Sequence, residues 1–370
     1  LHWTHLDIAL HPDEHGYIFS GSAVLDIDNL SGLGSKERPA LLTFFTHHNP
    51  ETGEQQQSIA YSNDYINFHK YNNNPVIANH IGDSNYKVDF RDPKVFKNPN
   101  KSGYSMVLAT GNILEFYYSD NLLNWNKTGE FDPSINGYGG ICECPDCFEI
   151  KTANESKWIL TLSSIIDDKK VGLSPNEKGY CNQRVMQYFI GEFDGNEFLD
   201  TTLNPSPMIL DYGPDNYAFI TFNGCEEPIG IGWACHWDYI NSMPATKYRG
   251  QMTMARRLGI INTEYGQRLT ISPYFNYLSN DIPNVEHYSI KCNDTLSIDD
   301  ALTIYVTNDL LKITRNPSSF PISIDINKYH TMTAKRLISN RDICNISIIK
   351  DNGFYEIFAD DNTLVFSIAT

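Results

Sequence analysis

Residues 141–150 read Ile-Cys-Glu-Cys-Pro-Asp-Cys-Phe-Glu-Ile, which puts three thiols and three carboxylates within ten residues. Such a set could serve as a metal site, a disulfide knot, or a carboxylic acid held to donate a proton. A carboxyl group that donates near neutral pH needs apolar surroundings or a neighbouring carboxylate to raise its pKa. Glu143 stands between two cysteines, which are small and weakly polar. It follows Gly137-Tyr138-Gly139-Gly140, where glycines let a substrate come close to the backbone. A zinc ribbon needs two regularly spaced cysteine pairs. The other cysteines (Cys181, Cys225, Cys235, Cys292 and Cys344) are isolated, so metal is the lesser reading of Cys142, Cys144 and Cys147. The plain structural reading is a half-buried strand with Cys142, Cys144 and Asp146 on one face. Glu143 and Cys147 take the other face only if Pro145 does not bulge the strand.

Two further stretches have chemical potential. In Phe90-Arg91-Asp92-Pro93-Lys94, Pro93 biases Asp92 towards an extended backbone. An Arg–Asp neighbour pair is usually a surface pair of little worth. In a funnel, the Asp could grip two adjacent sugar hydroxyls. Phe19-Ser20-Gly21-Ser22 offers an aromatic ring and hydroxyls, which suit a polyol that is both stacked and hydrogen-bonded. Alone it reads as a turn.

These residues must be positioned by strands. Short apolar runs such as ALLTFFTHH, SMVLATG, WILTLSSI and MQYFIGEF recur between Gly, Pro, Asn and Asp clusters. The 22 Tyr, 19 Phe and 5 Trp also favour strands. An internal repeat sharpens the expectation: YSNDYINFHK at 61–70 matches YSDNLLNWNK at 118–127, and Trp3 takes the place of Phe68 and Trp125. A unit of about 55–65 residues fits one four-stranded propeller blade with long loops. On this pattern the chain begins inside a unit, with earlier strands missing. The C-terminal segment alternates polar and apolar residues, and FYEIFA and LVFSIA flank Asp360-Asp361-Asn362, a hairpin pattern. The expected organisation is an all-β chain: a β-propeller over 1–262 with its first blade incomplete, then a β-sandwich over 275–370.

Composition narrows the partners. The 370 residues carry 45 acidic and 28 basic side chains, a net charge of −17. That balance disfavours nucleic acid and anionic membranes. No apolar run approaches the roughly 18 residues of a membrane helix. The first ten residues lack the basic start and apolar core of a signal peptide.

Together FSGSAV, FRDPKVF and ECPDCFEI, in this order and spacing, resemble glycoside hydrolase family 32, the invertases, inulinases, levanases and related β-fructofuranosidases. HWTHLDIALHPD, QYFIGEFDGNEF, DYGPDNYA, IGWACHWDY and YRGQMTM extend the resemblance along essentially the whole chain. It implies a five-bladed propeller backed by a sandwich, and retaining hydrolysis of sucrose, inulin or levan without metal or organic cofactor. It implies Glu143 as general acid/base and Asp92 as transition-state stabiliser, with Arg91 beside it. Phe19, Ser20 and Cys142 would line the fructose pocket, and Asp211 and Trp237 would form its wall.

Three departures stand out. The family's nucleophilic Asp, in a W-x-N-D-P-N-G stretch, has no counterpart in these residues, so this chain alone is expected to be inactive. Ile220 stands where the family usually has Gln, and Ala255 where it has Pro. A fructosyltransferase of the same fold, or a non-catalytic carbohydrate-binding remnant, are the alternative readings. N-x-S/T sequons at Asn29, Asn100, Asn126, Asn154, Asn293 and Asn345 suit a secreted or vacuolar protein, and a cytosolic one with free thiols also fits.

Overall fold

The computed structural model describes residues 4–152, 155–166, 184–202, 207–243, 249–275, 285–316, 318, 329–338, 342–351 and 353–370. Trp3, Cys181 and Asn154 lie outside them. The strand-forming runs build six antiparallel sheets among the described residues, with one short 3-10 turn at Ile240–Ser242. The first sheet is β1 (Tyr17–Leu25), β2 (Leu41–His48), β3 (Gln55–Ser62) and β4 (His69–Lys70). The second is β5 (Phe90–Lys97), β6 (Tyr104–Thr110), β7 (Ile113–Ser119) and β8 (Asn126–Phe131). In the third, β9 (Ile141–Lys151), β10 (Ser156–Ile165), β11 (Arg184–Phe193) and β12 (Phe198–Asp200) run in order, and β13 (Met208–Ile209) pairs with β11. In the fourth, β14 (Tyr217–Thr221), β15 (Ile229–Ala234), β17 (Arg256–Thr263) and β18 (Gly266–Pro273) run in order, and β16 (Gln251–Met252) pairs with β15.

The sequence repeat is the turn between the third and fourth strands of consecutive sheets. In the first sheet Asp64 Oδ1 accepts the amides of Ile66 and Asn67, and Tyr65 takes φ +66°. In the second, Asn121 Oδ1 accepts those of Leu123 and Asn124, and Leu122 takes φ +65°. A short acceptor side chain that caps two amides is what lets a non-glycine residue hold this turn.

The first strands of successive sheets lie against one another around a common axis. Lys94 from β5 is buried there, with Nζ 3.3 Å from Asp146 of β9 and 2.5 Å from the Thr221 carbonyl of β14. Asn223 Nδ2 donates to the carbonyls of Ala23 (2.7 Å) and Val95 (3.0 Å), tying the fourth sheet to the first two. Four propeller sheets are thus described. Before β1 the described chain forms only the Asp13–Gly16 bridge, held by Lys70.

The propeller runs further than expected. β17 and β18 pair along their whole length, and the fourth sheet closes at Pro273 rather than at 262.

The sandwich follows. One sheet is β19 (Val285–Lys291), β24 (Ile343–Asp351), β25 (Phe354–Ala359) and β26 (Leu364–Ala369). The other is β20 (Thr295–Ile298), β21 (Leu302–Val306), β22 (Leu310–Arg315) and β23 (Thr331–Lys335). Ile304, Leu311 and Ile313 meet Ile348, Ile357 and Phe366 between the two sheets. The far face of β24–β26 is covered as well: Ile349, Phe358 and Val365 pack on Phe219, Leu258, Leu269 and Ile271 of the fourth propeller sheet. Burial on both faces explains why β25 and β26 are buried throughout instead of alternating.

Candidate active site

The chemistry-bearing residues lie on the first strands of the propeller, and each of these strands is irregular at the same level. Register shifts fall between Ile18 and Gly21, between Arg91 and Lys94, opposite Thr161 to Ser163 in β9, and between Tyr217 and Ile220. A bulge kinks a strand and re-aims a side chain. Asp92 (φ +64°), Cys144 (φ +47°) and Ala218 (φ +53°) occupy the left-handed region at three of these bulges. Such backbone costs about 1–3 kcal/mol per residue and gathers at functional sites. Pro93 and Pro145 lie inside the bulges, where no ladder N–H is needed. At the fourth bulge Gly21 is required for space: a Cβ there would lie 1.7 Å from the Phe44 carbonyl oxygen.

Glu143 is held from two sides. Arg91 Nη2 donates to Oε1 at 3.0 Å, and the Tyr217 hydroxyl donates to Oε2 at 2.5 Å. The side chain of Glu143 keeps 19% exposure, so a ligand can reach it. Burial raises the Tyr217 pKa, and the charge of Glu143 raises it further, so the phenol remains a donor. Burial alone would lower the Arg91 pKa. Hydrogen bonds to Asp89 and Glu143 overcome this and raise it, which keeps the guanidinium charged.

Asp92 is buried. Its Oδ2 accepts the Cys144 amide at 2.9 Å, with the Cys144 thiol at 3.5 Å, and its own amide donates to Thr46 Oγ1. Burial raises its pKa, against the opposing pull of the Cys144 amide and Arg91. Asp92 and Glu143 are therefore neighbours: Arg91, next to Asp92 in the chain, donates to Glu143, and Cys144, next to Glu143, donates to Asp92, with Glu143 open to solvent and Asp92 deep.

Other expected residues divide. Phe19 and Ser20 form the bulge of β1, and Phe19 stacks on His48 with ring centroids 4.5 Å apart. Trp237 is half exposed, 4.9 Å from Trp233, which pairs with Tyr217 across β14 and β15. Two expectations need correction. Cys142 is no pocket wall: it is fully buried in the core between the second and third sheets, with Phe116, Leu160 and Cys147. Cys142 precedes the bulge, so simple alternation turns it away from Glu143, and the bulge at Pro145 then returns Cys147 to the face of Cys142. Asp211 is also turned away from the site. It is buried and bonded to Arg256, Asn216, the Gly213 amide and Ser367, so its acceptors serve the joint with the sandwich.

Tyr217 and Thr46 are site residues that sequence reasoning missed. Tyr217 lies in the DYGPDNYA stretch, and its place at the start of a first strand was the available signal. Thr46 belongs to a second strand and had none.

Residues 1–273 match the family described as Glycosyl hydrolases family 32 N-terminal domain. The chain belongs to glycosyl hydrolase family 32. A levanase of Bacillus subtilis (strain 168) is 37% identical over 281 residues, covering 73% of this chain and 39% of the relative. The extracellular exo-inulinase inuE of Aspergillus niger (strain ATCC MYA-4892 / CBS 513.88 / FGSC A1513) is 32% identical over 290 residues, covering 70% of this chain and 52% of the relative. This family 32 chain thus spans about half or less of the length of these relatives. In three dimensions it resembles the fructofuranosidase of Schwanniomyces occidentalis complexed with fructose, with a TM-score of 0.78 at 24% identity, covering 100% of this chain and 81% of that one. That likeness shows the shared propeller and sandwich.

Proposed function

We propose that this chain is the propeller and sandwich of a glycosidase that cleaves β-fructofuranosidic bonds in sucrose, inulin or levan. The observation that carries the proposal is the pairing of solvent-reachable Glu143 with buried Asp92 on adjacent bulged strands, where Arg91 donates to Glu143 and the Cys144 amide to Asp92. Asp92 accepts hydrogen bonds from fructosyl hydroxyls, which strengthen as the ring becomes oxocarbenium-like. Glu143 protonates the leaving oxygen and then activates the water that releases fructose. This is the retaining scheme, in which a second carboxylate, about 5–5.5 Å from the acid/base across the scissile bond, attacks the anomeric carbon. In our reading that nucleophile is not among these 370 residues. Phe19, Ser20 and Trp237 supply the remaining contacts to the fructosyl ring. A fructan outside the cell suits the extracellular relative, so we place the protein in secretion.

The test is calorimetric titration of the chain with D-fructose, alongside a sucrose hydrolysis assay. We expect fructose to bind, Asp92→Asn to weaken it strongly, and the assay to show no turnover. No fructose binding would refute the site. Robust hydrolysis would refute the placement of the nucleophile while leaving the site intact.

A further inference from the structure

Four arginines are buried among the described residues, and three of them meet carboxylates. Arg256 pairs with Asp211 and Glu356, Arg315 with Asp215, and Arg336 with Asp360. Arg268 of β18 is the fourth. It is 6% exposed, and no carboxylate is paired with it among the described residues. Its Nη1 donates to the Gln267 carbonyl at 2.7 Å. The Leu269 amide reaches the Tyr188 hydroxyl and not β17, so the backbone groups of Gln267 and Leu269 face the outer edge of the sheet. The guanidinium therefore folds over that edge. A charge taken this far out of water is costly unless it is paired.

At this edge Arg268 lines a cavity of about 440 Å³ between the third and fourth sheets. The lining comes from the outer strands, and none of it from β9 or β14, which carry Glu143 and Tyr217. The one carboxylate in the lining, Glu155, accepts from Gln267 Nε2 at 2.6 Å. Lys157 is paired with Glu192 at 2.6 Å. The hydroxyls of Thr201 and Thr202 donate to the Ile190 carbonyl at 3.4 Å and 3.2 Å, which leaves their oxygens free to accept. At the lip, Lys335 of the sandwich holds Nζ 3.9 Å from the centre of the Tyr265 ring, a second positive charge.

We propose that this cavity is a binding site for an oxyanion group carried on a small polyhydroxylated molecule. Arg268 takes the oxyanion, as a guanidinium takes a carboxylate or a phosphate with paired N–H donors. Hydroxyls of the ligand donate to Thr201 and Thr202. Lys335 adds attraction at the entrance, and Glu155 sets a limit on affinity by repulsion. The ligand supplies the counter-charge that the other three buried arginines find within the protein. The ligand class is a sugar acid or a sugar phosphate, which present the same chemistry to Arg268. This site is independent of the fructosidase reading.

The experiment titrates the full chain by calorimetry, at fixed ionic strength, with three matched probes: neutral D-glucitol, D-gluconate and D-glucitol 6-phosphate. At least one anion should bind about tenfold or more tightly than D-glucitol, as expected for hydrogen bonds to a charged group. Preference for D-gluconate names a carboxylate as the natural group, and preference for the phosphate names a phosphate. Arg268→Met should remove that gain. Glu155→Gln should tighten the anion, because it deletes a repulsive charge. Without ligand, the urea midpoint of Arg268→Met should be no lower than that of wild type, since no carboxylate is stranded. Equal binding of neutral and anionic probes, or no binding of either anion, overturns the site. Anion affinity that survives Arg268→Met overturns it as well. A large fall in the ligand-free urea midpoint of that variant would show that Arg268 already has its counter-charge in the protein, and the proposal would fail.

Discussion

At the scale of residues, the site separates two carboxyl groups by environment. Glu143 is reachable and doubly held by Arg91 and Tyr217, while Asp92 is buried and bound to the Cys144 amide. That division suits an acid/base and a stabiliser. In a polypeptide that carries these residues and cleaves sucrose, Glu143→Gln should lower kcat by about 10²–10⁴-fold, the usual contribution of general acid catalysis. Fructose affinity should change little. Turnover at the wild-type level would remove Glu143 from the mechanism. Asp92→Asn in the same background should depress kcat more than it raises KM, because its hydrogen bonds to the ring should tighten in the transition state. A rise in KM alone would make Asp92 a ground-state binder. The glycine-rich turn at 137–140 and the Arg91–Asp92 pair point to Glu143 and Asp92, but the proline signal misleads: Pro93 favours an extended Asp92, which takes φ +64°. Cys142 and Asp211 were misplaced. Simple alternation turns Cys142 away from Glu143 and into the core, against the place the resemblance implied, and the partner that claims Asp211, Arg256, lies 45 residues away in sequence.

At the scale of elements, the bulged first strands do the positioning and the flanking strands brace them. Thr46 on β2 connects them: it donates to Gln57 Oε1, and Gln57 Nε2 donates to the Phe90 carbonyl at the head of β5. Strands and turns were legible from composition, from the Asp64 and Asn121 turns, and from the repeat. The bulges were only half legible, since Pro93 and Pro145 mark two of them but no proline marks those of β1 and β14. The same second strand carries a buried histidine. His47 Nδ1 bonds Ser58 Oγ, and Nε2 lies 3.2 Å from Asp13, which also pairs with Lys70. Burial lowers the His47 pKa from 6.5 to about 4. Asp13 opposes that shift, while Lys70 and His15 add to it. Between these values the unfolded chain takes up a proton that the folded chain resists. Stability linked to His47 is therefore complete above pH 6.5 and lost as pH falls towards 4. The fall in Tm between pH 7 and pH 4.5 should be smaller in His47→Gln than in wild type. Equal falls would exclude His47 as a source of acid sensitivity.

At the scale of the whole molecule, the propeller and sandwich share a core and a buried ionic joint. Arg256, fully buried, donates to Asp211 at 2.8 Å from its own domain, and to Glu356 (2.6 Å) and Ser367 (2.6 Å) of the sandwich. Burial raises the Glu356 pKa, with Arg256 opposing. Arg315 reaches the other way, from the sandwich to buried Asp215 at 2.9 Å. Around the Arg256 joint, Phe219 and Leu258 pack with Phe358 and Val365. Two units joined by apolar packing and mutually dependent charges should unfold together. All five tryptophans, at positions 3, 125, 158, 233 and 237, precede the sandwich, so tryptophan fluorescence reports on the propeller while far-UV circular dichroism reports on both units. In urea the two signals should trace one transition. Arg256→Met strands two buried carboxylates and should cost about 3–5 kcal/mol, as breaking one side of a buried ion pair does. Its urea midpoint should drop for both signals together. A variant whose fluorescence transition shifts while a separate dichroism transition stays in place would show that the joint stabilises the propeller alone and that the sandwich folds independently of it.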